Sequence, residues 1–377
     1  MPAPSTPVRT PPFRADHVGS LLRPAGVAAA RKAHFEDKTL DAAGLKAAED
    51  AAIPDLIRMQ EDVGLPVVTD GEARRSWWHY DFMGMLDGLD LVERGEGVQF
   101  AGTQLRPIFP VVTAPLDFPD DHPMLAHFRF LAANTRVCPK ISIPGPSCCD
   151  FRIGSDDLGV PEYKEDRRAF FAAIARTYKK AVHAFYDAGC RYLQMDDIFF
   201  AYLCDPKHRA AKVAEGPDPD ELIGHYAWMM HEAIKDRPAD MTIGMHMCRG
   251  NYKSTYAAEG AYDPAADAVF NRTGVDIFFM EYDTERAGGL EPLRLLAKGK
   301  QRVMPGFITT KVGAMESVDN LRRKFDEAAQ YADLDQLGIA PQCGFASTEE
   351  GNAITADDQR RKLERVVETA EAIWGSV

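Results

Sequence analysis

Eight short apolar runs, each built like a strand and each followed by a stretch that can be helical, constrain this chain more than any other feature. They lie at FRADHVGS, PVVTDGE, PKISIPGP, RYLQMDD, TIGMHMCR, VDIFFMEYD, RVMPGFITT and QLGIAPQC. Repeated strand–helix units predict parallel pairing, and eight of them close into a (β/α)8 TIM barrel whose active site lies at the carboxyl ends of the strands. The helical stretches carry the matching period. Between Tyr163 and Gly189, Phe170, Phe171, Ile174, Tyr178, Val182 and Phe185 recur every three to four residues, and Gly189 supplies a C-cap. The last helix is expected from about Ala356 to Trp374, with Thr355 as N-cap and two aspartates in its first turn.

A length of 377 residues suits one such barrel with insertions. Residues 1–12 are proline-rich and lack the apolar core of a signal peptide, so they read as a disordered lead-in to a single catalytic domain over 13–377. The stretch from about 82 to 139 falls outside the repeat. It reads as an insertion that forms a lid or a contact between copies in a homo-oligomer. The net charge of −13 argues against nucleic acid as the main partner, and no apolar run is long enough to span a bilayer. Seven scattered cysteines do not make a secreted disulfide framework. The expectation is a cytoplasmic protein acting on small molecules.

His246 and Cys248 end the fifth run two residues apart. Strand side chains alternate, so both point the same way while Met245 and Met247 point the other. Glu281 and Cys343 fall at the ends of two further runs. Imidazole, thiolate and carboxylate are zinc donors, and paired CxxC knuckles of a closed structural site are missing, so the four suggest an open catalytic Zn2+ site. Two thiolates make the metal electron-rich, a poor acid for splitting water. Such a metal suits a substrate thiol, lowering its pKa from about 8.5 while leaving it nucleophilic. A lone His-x-Cys would more simply be a satisfied buried histidine.

Around this set, Arg74 and Arg75, followed by Trp77, Trp78 and His79, could hold an anionic substrate tail and wall off water, or be ordinary rim residues. Arg249 is a second candidate for anion contact. Asp196 and Asp197 could bind substrate or cap the next helix, and Gly19 could serve only a turn. Cys148 and Cys149 follow a Pro-Gly-Pro loop and read as packing residues.

The motifs HVGSLLRP, DGEARRSWWHYDF, QMDD, HMCRGN, FFMEYD and PQCGFAS, spread over Phe13 to Trp374, resemble the C-terminal catalytic barrel of cobalamin-independent methionine synthase. The resemblance is closer to its single-barrel relatives, among them epoxyalkane:coenzyme M transferase. It implies a barrel of the methionine synthase/uroporphyrinogen decarboxylase-like type, with His246, Cys248, Glu281 and Cys343 matching the zinc ligands. Val18, Gly19 and Ser20 match the turn that holds the thiol substrate's acidic group, and Asp196 the carboxylate that binds its amino group. Glu72 faces the same pocket. The methionine synthases carry a histidine as general acid after the seventh strand, where this chain has Lys311. Their N-terminal barrel has no counterpart here.

These observations predict zinc-dependent alkylation of a thiol. The leading pair is coenzyme M and a short epoxide, opened to a hydroxyalkyl thioether. Arg74, Arg75, Arg249 or Lys311 would neutralise the sulfonate, and Tyr282, Lys311 or His79 would deliver the proton. The alternative is methyl transfer from a methyl-folate or methyl-corrinoid donor to homocysteine, which the VGS turn and Asp196 favour. A metal-free barrel resembling uroporphyrinogen decarboxylase and a zinc-buffering protein without turnover are the readings from other classes.

Overall fold

A computed structural model describes residues 10–377; most of the expected lead-in, residues 1–9, lies outside the described residues. Five consecutive parallel strands, Ile141–Pro144, Tyr192–Asp196, Thr242–Met247, Ile277–Glu281 and Arg302–Gly306, form one continuous sheet in chain order. The remaining members are shorter. Val67–Val68 pairs in parallel with Cys138–Pro139, just ahead of the third strand. Single parallel bridges join Ala15 to Ile339 and Val303 to Leu337. A backbone bond from Leu21 N–H to Gly71 O at 3.0 Å links the first and second units. The ring is closed, and the fold is the expected (β/α)8 barrel. Its first and eighth strands are little more than bridges.

The helices bury the faces that their periodicity marks. Arg167–Asp187 buries Phe170, Phe171, Ile174, Tyr178, Val182 and Phe185. The helical stretch expected from Tyr163 is broken, however. Pro161–Glu165 ends at Asp166, which turns extended and caps the longer helix by accepting from Arg168 N–H at 2.9 Å. Gly189 follows this helix at φ +100°, a conformation cheap only for glycine. Ala356–Trp374 starts as expected, with a reciprocal capping box between Thr355 and Asp358.

The segment between the second and third strands has two parts. An antiparallel ribbon pairs Asp87–Glu93 with Ile108–Asp117 and carries a small hairpin, Gln99–Phe100 against Thr103–Gln104. The helix Pro123–Ala133 then returns to the third strand with Met124, Leu125, Phe128 and Leu131 buried. That helix belongs to the barrel repeat, so the irregular excursion is confined to the ribbon.

Inside the barrel, below the site, Lys140 is fully buried. Its ammonium reaches Asp16 at 2.7 Å and Gln194 at 3.0 Å, and Tyr192 donates to Asp16 at 2.7 Å. A buried cation so fully partnered holds the first, third and fourth strands in register rather than doing chemistry. No helix among the described residues is long and apolar enough to cross a membrane.

Candidate active site

The strand register sets the site before any side chain is considered. Asp196 and His246 are direct partners on adjacent parallel strands, so their side chains leave the same face at the same height. Met245 and Met247, pointing the other way, are buried in the layer between barrel and helices. Cys343 follows Pro341, which bridges Ile308, and so arrives from the far side of the ring.

One donor atom each from His246, Cys248 and Cys343 lies within 4.8 Å of the others, and all three residues are buried. A tetrahedral shell with bonds of about 2.0–2.3 Å needs donors roughly 3.5–4 Å apart, a small adjustment from this spacing. Neither ring nitrogen of His246 makes a hydrogen bond, although the residue is 2 % exposed. Burial lowers the His246 pKa, but the Cys343 sulfur beside it raises it further, so the imidazole and the two sulfurs hold protons that a dication can displace. A hydrogen bond from the Cys248 thiol, together with the His246 charge, holds the Cys343 thiol well below its usual range against the cost of burial. That same bond, with burial, pushes Cys248 well up. Two sulfurs sharing one proton form a place that a dication can take. The donor set therefore fits zinc.

Glu281 is not in this cluster. Its carboxylate accepts from Arg249 N–H at 2.8 Å, is paired with Arg286, and has the Lys311 ammonium at 3.5 Å. Burial raises its pKa, but Lys311, Arg286 and Arg249 outweigh it and hold the group at about 2. The structure thus brings three of the four expected ligands together and places the fourth beside them in an ion-pair network.

The chamber over the cluster has a free volume of about 40 Å3 and is lined by Val18, Ser20, Glu72, Asp196 and His79, among others. Gly19 adopts φ +140°, and an added Cβ would lie 3.3 Å from Glu72 Oε1 and 3.4 Å from Ser142 Oγ. The close approach therefore demands glycine. Thr69 Oγ1 donates to Gly19 O at 2.6 Å, and Phe345 N–H to Ser20 O at 2.9 Å, which ties this turn to the loop bearing Cys343. Asp196 caps no helix; its carboxylate accepts from Gln194 Nε2 at 2.8 Å. Burial, reinforced by Glu72 and opposed by His246, pushes it up to about 7. Burial likewise raises Glu72, against the pull of Arg75 and Arg23. Two buried carboxylates facing one chamber call for a cation between them.

Several expected contacts are corrected by the packing. Arg74 turns outward to Glu49 at 3.2 Å and Asp50 at 2.5 Å. Arg75 donates to Trp78 O at 3.2 Å and Ser142 O at 2.5 Å and supports Glu72 from 3.5 Å. Arg249 spends its guanidinium on the carbonyls of Gly260, Glu281 and Ala287 and lies over the Tyr262 ring. None of the three is free to hold an anion. Lys311 faces Glu281, and Tyr282 is buried against Tyr262 with its hydroxyl unpaired; neither lines the chamber. His79 does, stacked between Trp78 at 4.3 Å and Tyr80 at 3.8 Å, and burial aided by the Arg152 charge keeps it neutral. Cys148 and Cys149 are buried beneath the site, bonded to Asp196 O and Tyr178.

Sequence reasoning did not find Asn251, Tyr252, Phe199, Tyr202, Phe100 or Arg152 in the wall. Asn251 and Tyr252 directly follow the HMCRG motif, so adjacency could have flagged them. Phe100 comes from the ribbon. Its ring meets Tyr252 at 5.7 Å, and the neighbouring Ala101 N–H donates to Tyr256 O at 2.9 Å, which makes the ribbon a cover for the chamber.

The chain matches the family model "Cobalamin-independent synthase, Catalytic domain" over residues 15–371. It is 44% identical over 369 residues to the uncharacterized protein YxjG of Bacillus subtilis (strain 168), covering 97% of this chain and 96% of the relative. Among solved structures, a candidate vitamin-B12-independent methionine synthase from Listeria monocytogenes is 36% identical with a TM-score of 0.77, over 98% of this chain and 100% of that one. A B12-independent methionine synthase from Shewanella sp. W3-18-1, solved with selenomethionine, shares the fold at a TM-score of 0.69 and 19% identity, over 96% and 97% of the two chains.

Proposed function

The chain belongs to the family of cobalamin-independent methionine synthase catalytic domains, enzymes of the homocysteine methyltransferase type, and from that premise we propose that it methylates the sulfur of homocysteine. The observation that carries the reading is the cluster of His246, Cys248 and Cys343 beside two buried carboxylates, Asp196 and Glu72. The cluster would hold zinc, which supplies a site where a thiol is bound as thiolate at neutral pH. Asp196 and Glu72 receive the substrate ammonium, and its carboxylate faces the Val18–Gly19–Ser20 turn. The aromatic wall keeps water out. The sulfur then attacks the donor's methyl carbon in line; the S–C bond forms as the bond to the leaving group breaks, and the proton that the thiol gave up on binding is returned to that group. Of the three expected proton donors, His79 alone lines the chamber, and because burial keeps it neutral it can relay that proton and does not hold one in reserve.

The same facts reverse the order of the two substrate pairs. Arg74, Arg75, Arg249 and Lys311, the cations expected to meet a coenzyme M sulfonate, are engaged by the protein, and although Arg152 lines the chamber, the two carboxylates there match a thiol that carries an ammonium. An amino-acid thiol matches that polarity. The test is mass spectrometry of products from zinc-loaded protein with homocysteine and either a methyl-folate or a methyl-corrinoid donor. Methionine formed catalytically and lost in Cys343→Ser supports the reading. A hydroxypropyl thioether from epoxypropane and coenzyme M, with no methionine, refutes it.

A further inference from the structure

Among the described residues, Arg152 is the one arginine or lysine that lines the chamber over the metal-ligand cluster. It has no hydrogen bond or salt bridge to any described residue, although its loop is firmly placed. The preceding Phe151 stacks on Phe199 at 4.2 Å, and the Arg152 guanidinium lies 5.7 Å from that same Phe199 ring. Lys212 reaches Phe151 O at 2.5 Å from the other side. An immobilised loop thus presents a guanidinium with its donors unspent, next to His79 and Tyr202, whose acidities register its charge behind the larger effect of burial.

Its location gives that charge a use. Two cavities lie on either side of it: the small chamber over the metal-ligand cluster, and a second of about 1030 Å3 between the 150–155 loop and the helices Pro206–Glu215 and Pro219–Ile234. Only Arg152 and Tyr202 line both. The chamber suits a small thiol, whereas the larger space suits a bulky alkyl donor whose reactive carbon points through the junction.

The charges of the larger cavity limit what that donor carries. Its wall holds four basic side chains, Arg152, Arg167, Arg168 and Lys212, against five acidic ones. Arg167 is paired with Asp150, Lys212 with Glu215 at 2.7 Å, and Arg168 is exposed on the rim. A polyanionic tail would run into surplus carboxylates, while one anion at the junction meets an unopposed guanidinium in the fork geometry that carboxylates prefer.

We propose that Arg152 anchors a single carboxylate of the alkyl donor at the mouth of the chamber, and that further carboxylates on the donor gain no binding. This deepens the methyl-transfer reading by naming the donor class and rests on it. The probes are methyl-radiolabelled 5-methyltetrahydrofolate with one and with three glutamates, measured by equilibrium dialysis against zinc-loaded full-length protein. Arg152→Gln raises the dissociation constant of the monoglutamate about 10- to 100-fold, the loss expected for a charge-assisted pair, and Arg152→Lys recovers part of it. In the unmodified protein the two folates bind within about twofold, and both variants keep its zinc content and its denaturant-unfolding midpoint, which shows that they are folded. An unchanged constant in Arg152→Gln, a triglutamate bound tenfold or more tightly, or no binding by the unmodified protein overturns the proposal. A thiol KM that rises while donor binding holds overturns it too and assigns the anion to the thiol. Donor binding that depends on Arg152 without any methionine formed sustains the anchor and sinks the methyl-transfer reading instead.

Discussion

Replacing Asp196 by asparagine isolates the charge that the chamber offers to an amino-acid thiol. The residue is 5 % exposed, and its carboxylate holds one hydrogen bond, from Gln194 at 2.8 Å. Asparagine keeps the size and can still accept from Gln194, so folding and the neighbouring His246 register should survive. What is lost is an ionic hydrogen bond to the substrate ammonium, worth about 1.5–3 kcal/mol for a charged partner, with Glu72 remaining as the second carboxylate. At about 1.4 kcal/mol per tenfold, KM for homocysteine rises roughly 10- to 100-fold. The assay is steady-state methionine formation with homocysteine varied at saturating donor. The matched control uses the homocysteine analogue that lacks the amino group. Its parameters should be equal in both proteins, because it never makes the contact. An equal loss for both thiols, or an unchanged KM for homocysteine, refutes the assignment and returns Asp196 to a structural role.

Three further outcomes follow from named contacts. Cys248→Ser, like dialysis against a strong chelator, should lower bound zinc from about one per chain to near zero, read by elemental analysis; full retention in the variant would show that the ion sits elsewhere. Glu281→Gln should keep zinc stoichiometry but cost roughly 2–4 kcal/mol in denaturant unfolding, because the largely buried Arg286 and Lys311 lose their counter-charge; loss of zinc instead would make Glu281 a resident ligand. His122 caps the helix Pro123–Ala133 by accepting from Met124 N–H at 3.2 Å, and burial lowers its pKa from 6.5 to about 4. The unfolded chain binds this proton first, so its contribution is complete above pH 6.5 and fades as pH falls towards 4, by about 2–3 kcal/mol. Urea unfolding at pH 7.5 and 4.5 should show that extra acid loss in the natural protein and not in His122→Asn; equal losses in both would remove His122 from the account.

What could be read from the sequence, and what could not, divides along a physical line. Alternation along a strand and the period of a helix are local, so the barrel, the buried face of Arg167–Asp187 and the convergence of His246, Cys248 and Cys343 were all legible. The break at Asp166 was less so, since one capping carboxylate competes with an otherwise unbroken apolar stripe. The first and eighth strands reduce to bridges because the chain leaves the ladder early, at the left-handed Gly19 on one side and beyond Pro341 on the other.

Charge pairing is a different matter. Arg74, Arg75, Arg152, Arg249 and Lys311 all stand near strand ends, and nothing local says which of them is spent. The answer lies in distant partners: Glu49 and Asp50 take Arg74, the carbonyls of Gly260 and Ala287 take Arg249, and Glu281 takes Lys311. Of these five, Arg152, in a loop where attention falls on the cysteine pair, has neither a hydrogen bond nor an ion pair to any described residue, whereas Lys311 keeps at least its ion pair with Glu281. Proximity of a cation to a motif is therefore weak grounds for substrate binding, because a buried guanidinium must satisfy its donors and the protein usually reaches them first. The useful question is which cation the fold leaves half-exposed beside a cavity with no protein partner. Here that criterion singles out Arg152, which lines the chamber and the larger cavity alike, so it is the pair of carboxylates Asp196 and Glu72, and not a shortage of cations, that favours an amino-acid thiol over a sulfonate.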